Sequence, residues 1–89
     1  MKIQVKDSHI RNGRPWITQN SPVILAILDA GFKDAIMDYE FDKHSNCKFY
    51  FTYKGHKGKV RLPKEVTTWL YEFDKYKKGK PFEFEVEDQ

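Results

Sequence analysis

The sequence predicts an α+β fold in which one small antiparallel sheet carries two helices packed on one of its faces. Apolar and polar residues alternate near both ends of the chain and in its middle, as they do in half-buried strands. Two stretches between these regions have the apolar spacing and the end signals of helices. The chain has 89 residues, a length typical of one domain, so residues 1–89 are expected to fold as a single unit.

The clearest helix signal begins at Ser21, whose hydroxyl can accept a hydrogen bond from a free backbone N–H of the first turn. Pro22 suits the first helical position, where its missing N–H costs nothing. Gly31 lies where a helix needs a left-handed residue to stop. Between these signals the apolar residues have helical spacing; they are Val23, Ile24, Ile27, Leu28 and Ala30. A short, mostly buried helix is predicted.

The first strand is predicted over residues 1–5, which alternate between apolar and polar side chains. After it, Asp7 or Ser8 can cap one short helical turn. The dipeptide Asn12-Gly13 then favours a turn of the chain. This segment is therefore expected to connect the first strand to the main helix.

Three strands are predicted in the middle of the chain, at residues 36–41, at residues 47–54 and around Val60 and Leu62. Residues 42–46 are predicted to form a loop, and residues 55–58 a tight connection containing two glycines. Short connections of this kind join antiparallel neighbours. The three strands should therefore form an antiparallel meander.

The second helix is predicted to start in the segment Leu62-Pro63-Lys64-Glu65, with Pro63 in its first turn, and to stop at Gly79. Its apolar residues share one helical face; they are Val66, Trp69, Leu70 and Phe73. Residues 82–86 alternate again and form the last strand, which is expected to pair with the first strand or with an edge of the meander. The predicted order is strand, helix, three-strand meander, helix, strand.

The net charge is +3, and its distribution is uneven. Residues 43–64 include no acid, and their cations are Lys43, Lys48, Lys54, Lys57, Lys59, Arg61 and Lys64. Such asymmetry can mark a face that binds anions. It can equally belong to a solvated hairpin beside acidic neighbours. The sequence leaves both interpretations open.

The chain has one cysteine, Cys47, so it cannot form an internal disulfide. This composition is compatible with a reducing compartment. No signal peptide is evident, and no apolar run approaches the roughly 20 residues of a membrane span. We therefore expect a cytoplasmic protein that does not enter a membrane.

No arrangement of residues in the sequence points to catalysis. The possible metal ligands His9, His44, His56 and Cys47 do not have the spacing of a metal site. Cys47 begins an alternating strand, where a buried apolar role is expected. The sequence therefore predicts no enzyme activity, no metal and no cofactor.

Two groups of residues suggest ligand binding instead. The first precedes the main helix and consists of His9, Arg11, Arg14 and Trp16. Guanidinium groups grip phosphates, an indole ring stacks on a base, and a helix N-terminus favours anions. The alternative is that Trp16 is buried beneath the loop while the arginines face water.

The second group lies on the predicted meander. Its members are Lys48, Tyr50, Lys54, His56, Lys57, Lys59 and Arg61. Cations interleaved with an aromatic side chain suit a nucleotide or a nucleic acid. The eight residues expected to bind an anion are therefore His9, Arg11, Arg14, Trp16, Lys48, Tyr50, Lys57 and Arg61.

Several short motifs occur in a fixed order along the chain: Ile3-x-Val5, His9-Ile10-x-Asn12-Gly13, Pro22-Val23-x-x-Ala26-Ile27, Leu62-Pro63 and Phe73-Asp74…Gly79-Lys80-Pro81-Phe82-Glu83-Phe84. In these motifs the chain resembles a set of small uncharacterised proteins from tailed phages and prophages. Residues 33–60 lie outside the resemblance. Ser21 stands where that set often has cysteine, which excludes a thiol role at this position.

The resemblance implies a phage protein that acts by binding in the cytoplasm of the host cell and counters host defence. In one form it is a homo-oligomeric sponge that sequesters an anionic nucleotide signal in a pocket between subunits. One alternative is a protein-interaction module that inhibits a host factor. Another is a nucleic-acid-binding protein that uses the basic meander.

Overall fold

The computed structural model describes residues 1–14, 19–38 and 47–86, and the α+β class is confirmed. Within these ranges there are three helices and five strands: β1 (Lys2–Val5), α1 (Asp7–Asn12), α2 (Pro22–Asp29), β2 (Lys33–Asp38), β3 (Lys48–Tyr53), β4 (His56–Arg61), α3 (Lys64–Tyr76) and β5 (Phe82–Glu85). The order matches the predicted one, except that the short turn after the first strand is a six-residue helix, α1.

The described strands form two antiparallel sheets where the sequence predicted one. β1 pairs with β5, with Ile3 opposite Phe84, so the last strand joins the first strand and not the meander. β2, β3 and β4 form the predicted meander in that order. Helix α2 packs against both β1 and β2 and so connects the two sheets.

β2 begins at Lys33, three residues before the predicted start of this strand, and residues 39–41 of the prediction lie outside the described residues. Its register with β3 shifts between Lys33 and Ile36, and Asp34 has a φ of 54°. One extra residue on β2 therefore forms a bulge, for which the left-handed conformation of Asp34 is suitable. Beyond the bulge Met37 is buried and Ile36 is exposed, which places Ile36 on the outer face of the meander.

The turn between β3 and β4 consists of Lys54 and Gly55, whose φ angles are 50° and 81°. Two positive φ values in a two-residue connection match the right-handed twist of an antiparallel hairpin. The prediction of a connection at residues 55–58 was therefore wrong. Gly58 lies inside β4, where an added Cβ would come within 2.9 Å of the Phe51 ring.

An aromatic cluster lies at the centre of the core, around Phe32. Its ring centroid is 5.7 Å from that of Phe49, 4.9 Å from that of Phe51 and 4.7 Å from that of Tyr53. The buried face of α2 adds apolar side chains to the same core. Because Phe32 follows α2 and its neighbours belong to β3, the cluster joins this helix to the inner face of the meander.

The cap of α2 predicts a measurable loss of stability for Ser21→Ala. Ser21 is fully buried, and its Oγ accepts a hydrogen bond of 3.2 Å from the backbone N–H of Ile24. Removal of such a cap costs about 1 kcal/mol of unfolding free energy. Urea denaturation followed by circular dichroism should show this loss. Ser8→Ala is the control, since Ser8 is exposed in α1, and an equal loss in both variants would contradict the role of the cap.

Helix α3 ends at Tyr76, and Lys77 takes the left-handed conformation with a φ of 57°. The expected stop at Gly79 was therefore wrong by two residues. Gly79 instead lies against Trp69, because an added Cβ would be 2.5 Å from Cζ2 of the indole. The indole Nε1–H donates to the backbone oxygen of Lys80, at 3.0 Å. These contacts fasten the segment between α3 and β5 to the helix.

Candidate anion-binding face

The outer face of the meander carries a group of cations around exposed apolar side chains. The strand register places Tyr50 between Ile36 of β2 and Lys59 of β4. The residues that share this face are Lys33, Ile36, Asp38, Lys48, Tyr50, Thr52, Lys57, Lys59 and Arg61. We call this set the basic sheet face.

Three cations of the basic sheet face, Lys57, Lys59 and Arg61, are exposed in a row along β4. Alternate residues of a strand point to the same side, so neighbouring cations in this row are about 6.8 Å apart along the strand. Lys57 and Lys59 form no ion pair with any residue in the described ranges. Their charges are therefore available to an anion that approaches from solvent.

The middle of the basic sheet face is apolar. Tyr50 is 45% exposed and Ile36 is 39% exposed, and they are neighbours on adjacent strands. A tyrosine ring in this position offers a flat surface on which another ring can stack. The exposed ring and the row of cations therefore lie side by side.

One end of the basic sheet face is partly neutralised. The Lys48 ammonium group is 3.9 Å from a carboxylate oxygen of Asp38, and both side chains are partly shielded from solvent. Arg61 lies opposite Lys48 on β4. Because the acid is at this end, the positive charge of the face is strongest toward Lys57 and Lys59.

The inner face of the meander holds the basic sheet face in position. Phe49, Phe51 and Val60 point into the core from β3 and β4. The backbone N–H of Cys47 donates to Thr67 Oγ1 at 3.2 Å, which fixes the start of β3 to α3. Cys47 is buried, as the sequence predicted, with its sulfur 3.4 Å from the same hydroxyl oxygen.

His9, from the first predicted group, is buried between α1 and α2. Its Nδ1 accepts a hydrogen bond of 2.9 Å from the backbone N–H of Lys6. Its Nε2 is 2.5 Å from a carboxylate oxygen of Asp29, to which it donates. Since both ring nitrogens have partners within the fold, His9 has a structural role that ties α1 to the end of α2.

Arg11 and Arg14, the other described residues of the first group, are not on the basic sheet face. They are exposed in α1 and just after it, and α1 packs against α2. The backbone N–H of Arg14 donates to the backbone oxygen of Asn20 at 2.8 Å. Trp16 lies outside the described residues. Among the seven predicted residues that the structure describes, it therefore brings together four from the second group: Lys48, Tyr50, Lys57 and Arg61.

Five members of the basic sheet face were not among the eight predicted binding residues: Lys33, Ile36, Asp38, Thr52 and Lys59. The outward position of Ile36 could have been predicted from the sequence. Met37 was assigned to the apolar face of this strand, and adjacent strand residues point to opposite faces. No comparable signal existed for Lys33. Its position opposite Thr52 depends on the register across the bulge in β2.

Comparison with known proteins gives no match: no family model, curated protein or solved structure is significantly similar to this chain. In the described ranges, no cluster of three or more His, Cys, Asp and Glu side chains is placed to hold a metal ion. None of the described helices has the length and apolar character needed to cross a membrane. Fold and site together define a small α+β domain with an exposed basic sheet face.

Proposed function

We propose that this protein binds a phosphate-bearing nucleotide ligand on the basic sheet face and acts by holding that ligand, without catalysis. The observation that carries the proposal is the exposed Tyr50 ring directly beside Lys59 in a row of cations. Lysine and arginine neutralise phosphates, and an aromatic ring stacks on a base. A nucleotide needs both kinds of contact from one surface.

Protection of a sheet edge is the competing explanation for these charges. β4 is an edge of the meander among the described strands, and lysines on an edge strand discourage pairing with another chain. This explanation accounts for Lys57 and Lys59. It does not account for Tyr50, which is on the central strand β3 and is nearly half exposed. Ligand binding explains more of the basic sheet face.

A small nucleotide would need more than one copy of the chain. Sites for small molecules usually bury most of the ligand surface, whereas an open sheet face covers only one side of a ligand. A second copy could close over the ligand and form a homo-oligomer. In the phage setting implied by the resemblance, such an assembly would sequester a nucleotide signal of host defence in the host cytoplasm.

The proposal predicts that nucleotides raise the melting temperature of the protein. We expect a rise of several degrees for at least one member of a panel of cyclic dinucleotides, cyclic trinucleotides, cyclic ADP-ribose and short oligonucleotides at about 50 mM salt. Lys59→Gln should reduce the rise, and Lys75→Gln on α3 should not. Absence of any shift across the panel would remove the proposal. Light scattering on the same samples measures whether the ligand is held by one copy or by several.

A second candidate function is inhibition of a host protein through α3. Tyr71 and Tyr76 are 56% and 60% exposed, and the Lys75 ammonium group lies 5.9 Å and 5.2 Å from their ring centroids. Exposed tyrosines often anchor protein interfaces. If a host protein is captured by the wild-type chain but not by a Tyr71→Ser, Tyr76→Ser variant, this candidate is favoured over nucleotide binding.

A further inference from the structure

The spacing of the cations along β4 matches the spacing of the negative charges in a linear polyanion. Lys57, Lys59 and Arg61 follow one another at about 6.8 Å along the strand. This repeat is close to the length of one nucleotide in an extended single strand. Each of the three cations can therefore meet one of three successive phosphates. A compact ligand, by contrast, would use only part of the row.

Across the strands, a cation is followed by an aromatic ring and an apolar side chain, which is the order that suits the phosphate and the base of a nucleotide. Lys59 on the edge strand lies opposite Tyr50, which lies opposite Ile36 on the next strand. Neighbouring strands are about 4.8 Å apart, so a base attached to a phosphate over Lys59 can extend across Tyr50 toward Ile36. The charged edge and the apolar centre thus correspond to the charged backbone and the base of a single strand.

The ends of the row limit its length. Beyond Lys57, the ammonium group of Lys54 lies 5.3 Å from the ring centroid of Tyr53, whose own ring packs against that of Phe32 in the core. This contact draws Lys54 away from the outer face. At the other end the carboxylate of Asp38 accompanies Lys48 and repels a further phosphate. Among the described residues, the row therefore matches about three phosphates along β4.

From this geometry we infer that the ligand of the basic sheet face is a linear single-stranded nucleic acid. Its phosphates follow β4 from Lys57 to Arg61, and its bases lie over Tyr50 and Ile36. The inference rests on the proposed function, because it assumes that this face binds phosphates. Stacking and charge act on every base alike, so little sequence preference is expected. One copy of the chain is sufficient, since a strand of this length lies along the face.

A length series tests the inference. Fluorescence anisotropy should be measured at about 50 mM salt with labelled oligothymidylates and oligouridylates of one to eight nucleotides, a cyclic dinucleotide and a DNA duplex. Affinity is expected to rise steeply up to about four nucleotides and only slightly thereafter. Three neutralised phosphates should give a slope of about −2 when the logarithm of the binding constant is plotted against the logarithm of salt concentration.

Matched variants separate the two kinds of contact. Tyr50→Thr should weaken tetranucleotide binding roughly tenfold, whereas Tyr50→Phe, which keeps the ring, should retain it. Lys59→Gln should make the salt slope less steep by about 0.7, because one phosphate contact is lost. Lys75→Gln removes the same charge from α3 and should leave both affinity and slope unchanged. Circular dichroism confirms that each variant is folded.

The outcomes distinguish this inference from the proposed function. If the cyclic dinucleotide binds as tightly as the tetranucleotide, the linear strand is the wrong ligand, and nucleotide binding by the face still holds. If the duplex binds as tightly as the single strand, the stacking of bases on Tyr50 is wrong. If none of these phosphate compounds binds, both the inference and the proposed function are wrong.

Discussion

Replacement of Phe32 by alanine is expected to lower the unfolding free energy by about 3–5 kcal/mol. The ring is 1% exposed and contacts the rings of Phe49, Phe51 and Tyr53. Its removal leaves a cavity between α2 and the meander, and the neighbouring aromatic side chains cannot all move into it. A domain of this length is stable by roughly 4–13 kcal/mol, so the variant should lose a large share of its stability.

Urea denaturation followed by circular dichroism measures this effect. Phe32→Leu keeps most of the side-chain volume and should lose far less, which makes the result informative even if the alanine variant does not fold. Tyr71→Ala is the control, because this aromatic side chain is exposed on α3. If Phe32→Ala and Tyr71→Ala lose similar amounts, the cluster around Phe32 is not the centre of the core.

The parts of the fold that could be predicted are those determined by residues within the element or next to it in the sequence. Both ends of α2 are determined by residues at those ends: Ser21 and Pro22 at the start and Gly31 at the stop. Strand β3 was visible because its alternation extends over six residues. The sequence left two possible partners for β5, the first strand and an edge of the meander. Pairing with β1 joins residues from opposite ends of the chain, so no local signal indicates it.

Two of the wrong boundaries, those at Gly58 and Gly79, have a shared physical cause. Both glycines were interpreted as residues that a turn or a helix end requires. In the structure each allows an aromatic ring to approach the backbone, Phe51 in one case and Trp69 in the other. The left-handed conformations near them belong to Lys54 and Gly55 in the turn between β3 and β4, and to Lys77 after α3. A sequence shows a glycine but not which of its two uses applies.

The candidate site could be predicted only in part, for a similar reason. Lys48 and Tyr50 followed from the alternation of β3 alone. Their position beside Lys59 and Ile36 depends on the register between strands, which includes the bulge at Asp34. His9 was placed in the site because of its residue type. Its carboxylate partner, Asp29, is 20 residues away in the sequence and could not be foreseen.

Reversal of charge at Lys57 and Lys59 is expected to weaken tetranucleotide binding at least about a hundredfold. The double variant Lys57→Glu, Lys59→Glu removes two of the three cations on β4 and places acids beside the phosphates, a repulsion of several kcal/mol. Both side chains are exposed, and neither forms an ion pair with a described residue. The melting temperature of the free protein should therefore change little.

The necessary control is a variant of equal charge. Lys75→Glu, Lys78→Glu also lowers the net charge by four, from +3 to −1, but at the end of α3. It should bind the tetranucleotide with no more than a severalfold loss, because charges distant from the ligand are screened by salt. If both double variants lose binding equally, net charge is responsible and the basic sheet face is not the site. If only the β4 variant loses binding, and its deficit shrinks as salt is raised, the row on β4 is where the phosphates lie.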